Sequence, residues 1–196
     1  MLSHIEGVIF DLDGTLVDSQ LDFAAIRRET GFAEDTDLLA QLESLSCETE
    51  RSRAEAIIHR HEMQGARIAR WMPGAQQLIE RLQRAGMPTG IVTRNSRVAT
   101  HHTLSALSIE SIDLITREDA PPKPNPEGLL SLAHKWAIAV DKLIYVGDYL
   151  FDLQAAANAG MVSVLYARPE FADDADIVID HFDQLADLLA VDARME

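Results

Sequence analysis

Asp11 and Asp13 stand two residues apart at the end of an apolar run, Val8, Ile9 and Phe10, in the stretch "GVIFDLDGTLVDS" (7–19). Carboxylates that close repel and raise each other's pKa. A second pair, Asp148 and Asp152, follows the apolar run "KLIYVG" (142–147) and is one helical turn apart. Thr93 ends a third run, "TGIVT" (89–93). Lys123 lies in "APPKPNPEG" (120–128), a loop stiffened by Pro121, Pro122, Pro124 and Pro126. Converging carboxylates without a cation would be strongly unfavourable. Oxygen donors in this number predict a hard divalent ion such as Mg²⁺. A cation beside a carboxylate keeps it ionised at neutral pH, and so available as a nucleophile. Thr93 and Lys123 would offer a hydrogen bond and a point charge to an anionic group such as phosphate. Glycine at 14 lets the chain turn sharply after the acidic pair.

These residues must be carried to one place by the fold. In open α/β sheets, ligands bind outside the carboxyl ends of the strands. The runs "GVIF" (7–10), "TGIVT" (89–93), "IDLIT" (112–116), "KLIYVG" (142–147), "VSVLYA" (162–167) and "DIVI" (176–179) read as buried parallel strands. Helical patterns lie between most of them. "GAQQLIERLQRAG" (74–86) places Leu78, Ile79 and Leu82 on one face and ends on Gly86. "NPEGLLSLAHKWAI" (125–138) opens with Asn125 as N-cap and Pro126 at the first helical position. "LFDLQAAANAG" (150–160) also ends on glycine. The alternation predicts an α/β fold with a Rossmann-like parallel sheet.

Residues 20–72 break the rhythm. "LDFAAIRRETGF", "TDLLAQLESLS" and "ETERSRAEAIIHRHEMQGARIARW" all read as helices, with no strand among them. The segment is too long for a crossover. It predicts a small all-helical cap at 20–72 inserted into a core of 1–19 and 73–196, re-entered near Met72, Pro73 and Gly74.

The whole chain has 196 residues, 47% hydrophobic and 25% charged, enough for one domain, or one with a small insert, around a real core. Its formal net charge of -15 makes nucleic acid and anionic membranes poor partners. Cys47 is the single cysteine and has acidic neighbours, which excludes an intramolecular disulfide and disfavours a thiolate. The opening "MLSHIEG" shows no basic n-region or apolar h-region, and no apolar run would span a bilayer. A cytoplasmic location is expected.

Together the motifs resemble those of the haloacid dehalogenase-like hydrolase superfamily. "DLDGTLVDS" resembles its first signature, "IVTRNS" the second around Thr93, and "KPNPEGLL" the third around Lys123. "VGDYLFDLQAAANAGM" resembles the fourth, with Asp148 and Asp152, and all four occur in the family's order. "MPGAQQLIERLQRAGMPTGIVT" resembles the usual return from a cap placed between the first two.

The resemblance implies roles. Asp11 would attack phosphorus and form an aspartyl-phosphate. Asp13 would protonate the leaving oxygen and then deprotonate water. Mg²⁺ would bind the Asp11 carboxylate, the Asp13 backbone carbonyl and Asp148, with Asp152 binding or orienting a metal water. Thr93 and Lys123 would hold phosphoryl oxygens, helped by backbone N–H groups near Leu12, Asp13 and Arg94. The dehalogenase branch lacks an aspartate at the position of Asp13. The phosphonatase branch needs a cap lysine, whereas the lysines here are Lys123, Lys135 and Lys142. The resemblance therefore implies a phosphatase, phosphoglycolate phosphatase-like in its cap, acting on a small phosphorylated metabolite as a monomer or homodimer. A phosphoglycolate-like acid, a sugar phosphate and a nucleoside monophosphate stay open. So do a phosphomutase and a receiver-like or non-catalytic phosphate-binding protein.

Other features have plainer readings. Arg53, Arg60 and Arg67 recur every seven residues and would form a solvated stripe paired with Glu55 and Glu62, or greet an anionic substrate. His59, His61, His101 and His102 make no metal-ligand pattern. Trp71 and Trp136 read as packing residues. Asp18 and Ser19 would sit at the mouth of the site.

Overall fold

The computed structural model describes residues 2–34 and 36–191. In chain order the elements are β1 (Gly7–Phe10), β2 (Val17–Asp18), α1 (Phe23–Thr30), α2 (Leu38–Ser44), α3 (Glu48–Ile68) and β3 (Arg70–Trp71). They continue with α4 (Ala75–Arg84), β4 (Thr89–Val92), α5 (Arg97–Ala106), β5 (Asp113–Ile115), α6 (Glu127–Trp136) and β6 (Leu143–Gly147). The last are α7 (Leu150–Ala159), β7 (Val162–Tyr166), β8 (Ile177–Ile179) and α8 (Phe182–Leu188). Six strands form one sheet in the order β5-β4-β1-β6-β7-β8, and every pair is parallel.

The strands are continuous apolar runs because both faces of the sheet are covered. Val8, Phe10, Ile144 and Val146 point to one side, where they pack with Leu78, Leu82, Phe182 and Leu185 of α4 and α8. Ile9, Leu143 and Tyr145 point to the other, against Leu129 and Leu132 of α6 and Ala155 and Ala156 of α7. Successive residues of a strand alternate faces, so each strand feeds both cores. The chain leaves β1 to one side, through β4 to β5, and returns to the other side with β6. The switch point of the doubly wound sheet is therefore beside β1.

α1, α2 and α3 form the helical segment. Asp22 caps α1, accepting from Ala25 N at 2.8 Å, and α1 ends on Gly31 in the left-handed region. Asp37 caps α2 through Leu39 N at 2.9 Å. Two local expectations are corrected. First, residues 20–72 do contain a strand: β3 pairs antiparallel with β2, Val17 opposite Trp71 and Asp18 opposite Arg70. A segment that leaves and rejoins the core at one point brings its two linkers side by side, and they pair. Second, α6 begins at Glu127 with Pro126 as its N-cap, not at Pro126 with Asn125 as cap. Asn125 instead closes a side-chain turn, its Oδ1 accepting from Glu127 N at 2.9 Å. Among the described residues no helix is long and apolar enough to cross a membrane.

Candidate active site

β1 and β6 are neighbours, so the residues that follow them meet at the switch point. Asp11 follows β1 and Asp148 follows β6, while Asp152 sits in the first turn of α7. Oxygens of Asp11, Asp148 and Asp152 lie within 4.8 Å of one another, and all three residues are buried. Lys123 Nζ, also buried, donates to Asp11 Oδ1 and Asp152 Oδ1 at 2.6 Å each and to the Tyr145 hydroxyl at 2.8 Å. The Tyr145 hydroxyl is 3.0 Å from the Val92 carbonyl, which ties this group to β4. Asp152 Oδ2 accepts from Tyr149 N at 3.1 Å, so the same carboxylate caps α7. Two glycines make the approach possible. A Cβ at Gly14, where φ is +84°, would fall 2.5 Å from an Asp148 oxygen. One at Gly147 would overlap the Asp152 side chain.

Lys123, with the half-exposed Arg168 guanidinium 3.4 Å from Asp148, does not neutralise three buried carboxylates. Asp11 is pushed up to about 8 by burial, against the pull of Lys123 and with the Asp152 and Asp148 charges adding to the rise. Asp148 is pushed up to about 6, by burial first and Asp152 next, against Arg168 and Lys123. Lys123 is raised, because the Asp11 and Asp152 charges outweigh its own burial. This all-oxygen, over-negative donor set fits a hard divalent cation, which would restore charge balance.

Asp13 lies outside that group of three. Asn95 Nδ2 bonds to its Oδ2, while its buried Oδ1 has no hydrogen-bond partner among the described residues. Burial raises its pKa, Ser19 and Asn95 oppose the rise, and Glu62 adds to it. A carboxyl in such surroundings is suited to exchanging a proton. Thr93 is buried, with its N–H on the Ile115 carbonyl at 3.0 Å and its Oγ1 accepting from Asn95 N at 3.2 Å. The Arg94 side chain lines the same cavity, pairs with Asp37 and lies 4.9 Å over the Phe151 ring.

Several contacts were not anticipated from the sequence. Glu62 is not part of a solvated stripe: it is buried, bonds Arg117, and accepts from Ser96 Oγ at 2.7 Å. Arg60 pairs with Glu29 instead, and His61 Nε2 is 3.0 Å from the same carboxylate. Trp136 packs as expected but also donates to Asp113 at 2.6 Å. Ser19 is buried and Asp18 exposed. Tyr145, Asn95 and Arg168, whose guanidinium is 3.4 Å from Asp148, join the site unannounced. Asn95 stood within the quoted "IVTRNS", and Tyr145 within an apolar run, where tyrosine reads only as a strand former.

A cavity of about 650 Å³ opens above the carboxylates. Asp11, Asp13, Thr93, Lys123, Asp148 and Asp152 line its floor, and Leu21, Phe23, Leu38 and Leu39 of the helical segment line its roof.

The sequence pattern of the haloacid dehalogenase-like hydrolase family matches residues 8–166. An uncharacterized hydrolase of Saccharomyces cerevisiae is 31% identical over 170 residues, covering 84% of this chain and 78% of that protein. The phosphoglycolate phosphatase of Vibrio vulnificus is 29% identical over 224 residues, covering 97% of this chain and 98% of that one. The crystal structure of a hydrolase from Pseudomonas syringae superposes with a TM-score of 0.77 at 24% identity, over 93% of this chain and 97% of that one, a likeness of fold. With its motifs gathered at the switch point of this sheet, the chain belongs to the haloacid dehalogenase-like hydrolase family.

Proposed function

We propose that this hydrolase is a Mg²⁺-dependent phosphomonoesterase that turns over a small phosphorylated metabolite through an aspartyl-phosphate on Asp11. The observation that carries the reading is the meeting of Asp11 with Lys123, Asp148 and Asp152 on the floor of one cavity. The likeness to a phosphoglycolate phosphatase over nearly the whole chain supports it.

An Asp11 oxygen attacks phosphorus, and the ester oxygen leaves with a proton from Asp13. Asp13, now ionised, takes a proton from water as the water attacks the phosphoryl group. Inorganic phosphate leaves and the Asp11 carboxylate is restored. Lys123, Thr93 and the backbone N–H of Arg94 hold the non-bridging oxygens. Asn95 fixes the carboxyl of Asp13. Asp11, the Asp13 carbonyl and Asp148 would hold Mg²⁺, with Asp152 behind them, and the ion would supply charge neutralisation for the phosphoryl oxygens. Residues 20–72 serve as the cap over the core formed by 1–19 and 73–196.

Release of inorganic phosphate from a generic phosphate ester tests the reading. Wild type should need Mg²⁺, Asp11→Asn should lose activity with its circular dichroism unchanged, and acid-quenched wild type should carry a phosphoryl group on the Asp11 peptide. Full activity in Asp11→Asn would sink the nucleophile assignment.

A further inference from the structure

The cavity has two different halves. Its floor carries the charge. Its roof carries Leu21, Phe23, Ile26, Leu38 and Leu39 beside Glu34, Thr36 and Asp37, and Tyr149 and Phe151 stand at its side. Phe23 is 52% exposed and Tyr149 48% exposed, so both rings present apolar surface at the cavity. Tyr149 is fixed edge-on to Phe151, with ring centres 5.4 Å apart, and to Phe171 at 5.2 Å. An apolar surface kept open on both sides of a cavity is a surface that gains by being covered.

The cations of the cavity are already engaged. Arg94 closes on Asp37, Arg117 on Glu62, Arg168 on Asp148 and Glu170, and Lys123 on Asp11 and Asp152. Arg27 is the cation of this cavity with no carboxylate partner among the described residues. Its guanidinium donates instead to the carbonyls of Phe23 at 3.5 Å and Thr36 at 3.1 Å, which ties α1 to the loop before α2. Beyond the phosphoryl position, the cavity therefore offers a ligand mostly apolar contact. Its volume, about 650 Å³, lies in the range of pockets that take drug-sized molecules.

We infer that the site takes phosphate monoesters of bulky, ring-bearing apolar alcohols in preference to phosphorylated small acids. The inference rests on the phosphomonoesterase reading above. The phosphoryl group sits on the charged floor, and the ring of the alcohol packs under Phe23 and Leu38 and against Tyr149. A carboxylate in the same place would face leucines and the acidic side chains of Glu34 and Asp37, with Arg27 the cation there that no carboxylate holds among the described residues.

Three primary alkyl phosphates test this, because their leaving alcohols have similar chemistry: ethyl phosphate, 2-phenylethyl phosphate and 2-phosphoglycolate. Acetyl phosphate serves as the control for phosphoryl transfer. With Mg²⁺ present, kcat/KM for the phenylethyl ester should exceed both others by roughly tenfold or more, the scale set by added apolar contact in a pocket. Phe23→Ala and Leu38→Ala should each cut the phenylethyl-to-ethyl ratio by about tenfold. Phe23 is largely exposed, so its truncation leaves the core packing untouched. A preference for 2-phosphoglycolate, lost in Arg27→Gln, would overturn the inference, as would an unchanged ratio in Phe23→Ala. Phosphate release from none of the esters, and none from acetyl phosphate, would overturn the phosphomonoesterase reading itself.

Discussion

Glu62 of α3 accepts from the hydroxyl of Ser96, the N-cap of α5, at 2.7 Å, and so fastens α3 to α5. The neighbouring residue, Asn95, holds Asp13. Glu62 also carries the Arg117 guanidinium, which lines the cavity. Its side chain is 5% exposed. Replacing it by alanine leaves a guanidinium and a hydroxyl without their acceptor. Glu62→Ala should cost about 2–3 kcal/mol in urea unfolding. Glu62→Gln should cost less, because the amide oxygen still accepts from Ser96. Equal stability of Glu62→Ala and wild type would show that the helices are held elsewhere.

Gly147 and Gly160 lie at the two ends of α7's surroundings and should respond differently to alanine. A Cβ at 147 would overlap the Asp152 side chain, the carboxylate that Lys123 holds at 2.6 Å. Gly147→Ala should therefore displace Asp152 and lower kcat by about tenfold or more, the usual scale for disturbing a group behind a metal site. Gly160 has φ +73° and ordinary space around a Cβ, with Val140 at 3.5 Å. Gly160→Ala should cost about 1 kcal/mol of stability through its left-handed backbone, with activity retained per folded molecule. Paired kcat and thermal-melt measurements separate the two effects.

What could be read in the sequence followed from continuous local patterns. The strands β1 and β6 are unbroken apolar runs because both their faces are buried, and the acidic residues stand at their ends. β2 and β3 have two residues each, too short for any period, and their pairing depends on where a distant segment returns. Glu62 departs from the solvated-stripe expectation for a related reason. On its own helix it repeats like a surface charge, and its burial comes from α5, whose Ser96 lies 34 residues on. The same holds for Arg94, whose side chain reaches Asp37, 57 residues earlier in the chain. Tyr145 fits its strand by side-chain type alone; only the folded sheet brings its hydroxyl to Lys123.

Asp113 predicts a pH dependence away from the site. Its carboxylate accepts from Lys135 Nζ and Trp136 Nε1, each at 2.6 Å, and so pins the end of α6 to the edge strand β5. Partial burial works against ionisation, but the hydrogen bonds from Lys135 and Trp136 and the Lys135 charge outweigh it and lower the pKa. A lowered pKa means that the folded state holds fewer protons than the unfolded one in that window. The stabilisation is full above the unfolded value near ~4 and is lost as pH falls through the lowered folded value. Asp113→Asn should melt below wild type at pH 7, and the gap should close as pH drops below about 4. A gap that persists in acid would assign the effect to shape alone.

Asp148 allows the sharpest test of the carboxylate group, because its ionised form costs stability without a cation and should add to it with one. Without a cation, burial and Asp152 push it up to about 6, so the folded protein pays for its ionised form at neutral pH and above. The raised pKa means that stability from this group is present below ~4 and falls as pH rises through about 6. Its hydrogen bond from Thr15 Oγ1 is long, 3.4 Å, and Arg168 on its other oxygen is half-exposed, so little is lost with the charge. In chelator at pH 8, Asp148→Asn should therefore be at least as stable as wild type. With Mg²⁺ the order should reverse. An ion that binds only the folded state at a concentration of a hundred times its Kd stabilises by about 2.7 kcal/mol, and the asparagine variant forfeits most of that. Thermal melts of both proteins, with and without Mg²⁺, decide it. A variant that melts below wild type by the same margin in both conditions would mean that Asp148 serves the fold and not the cation.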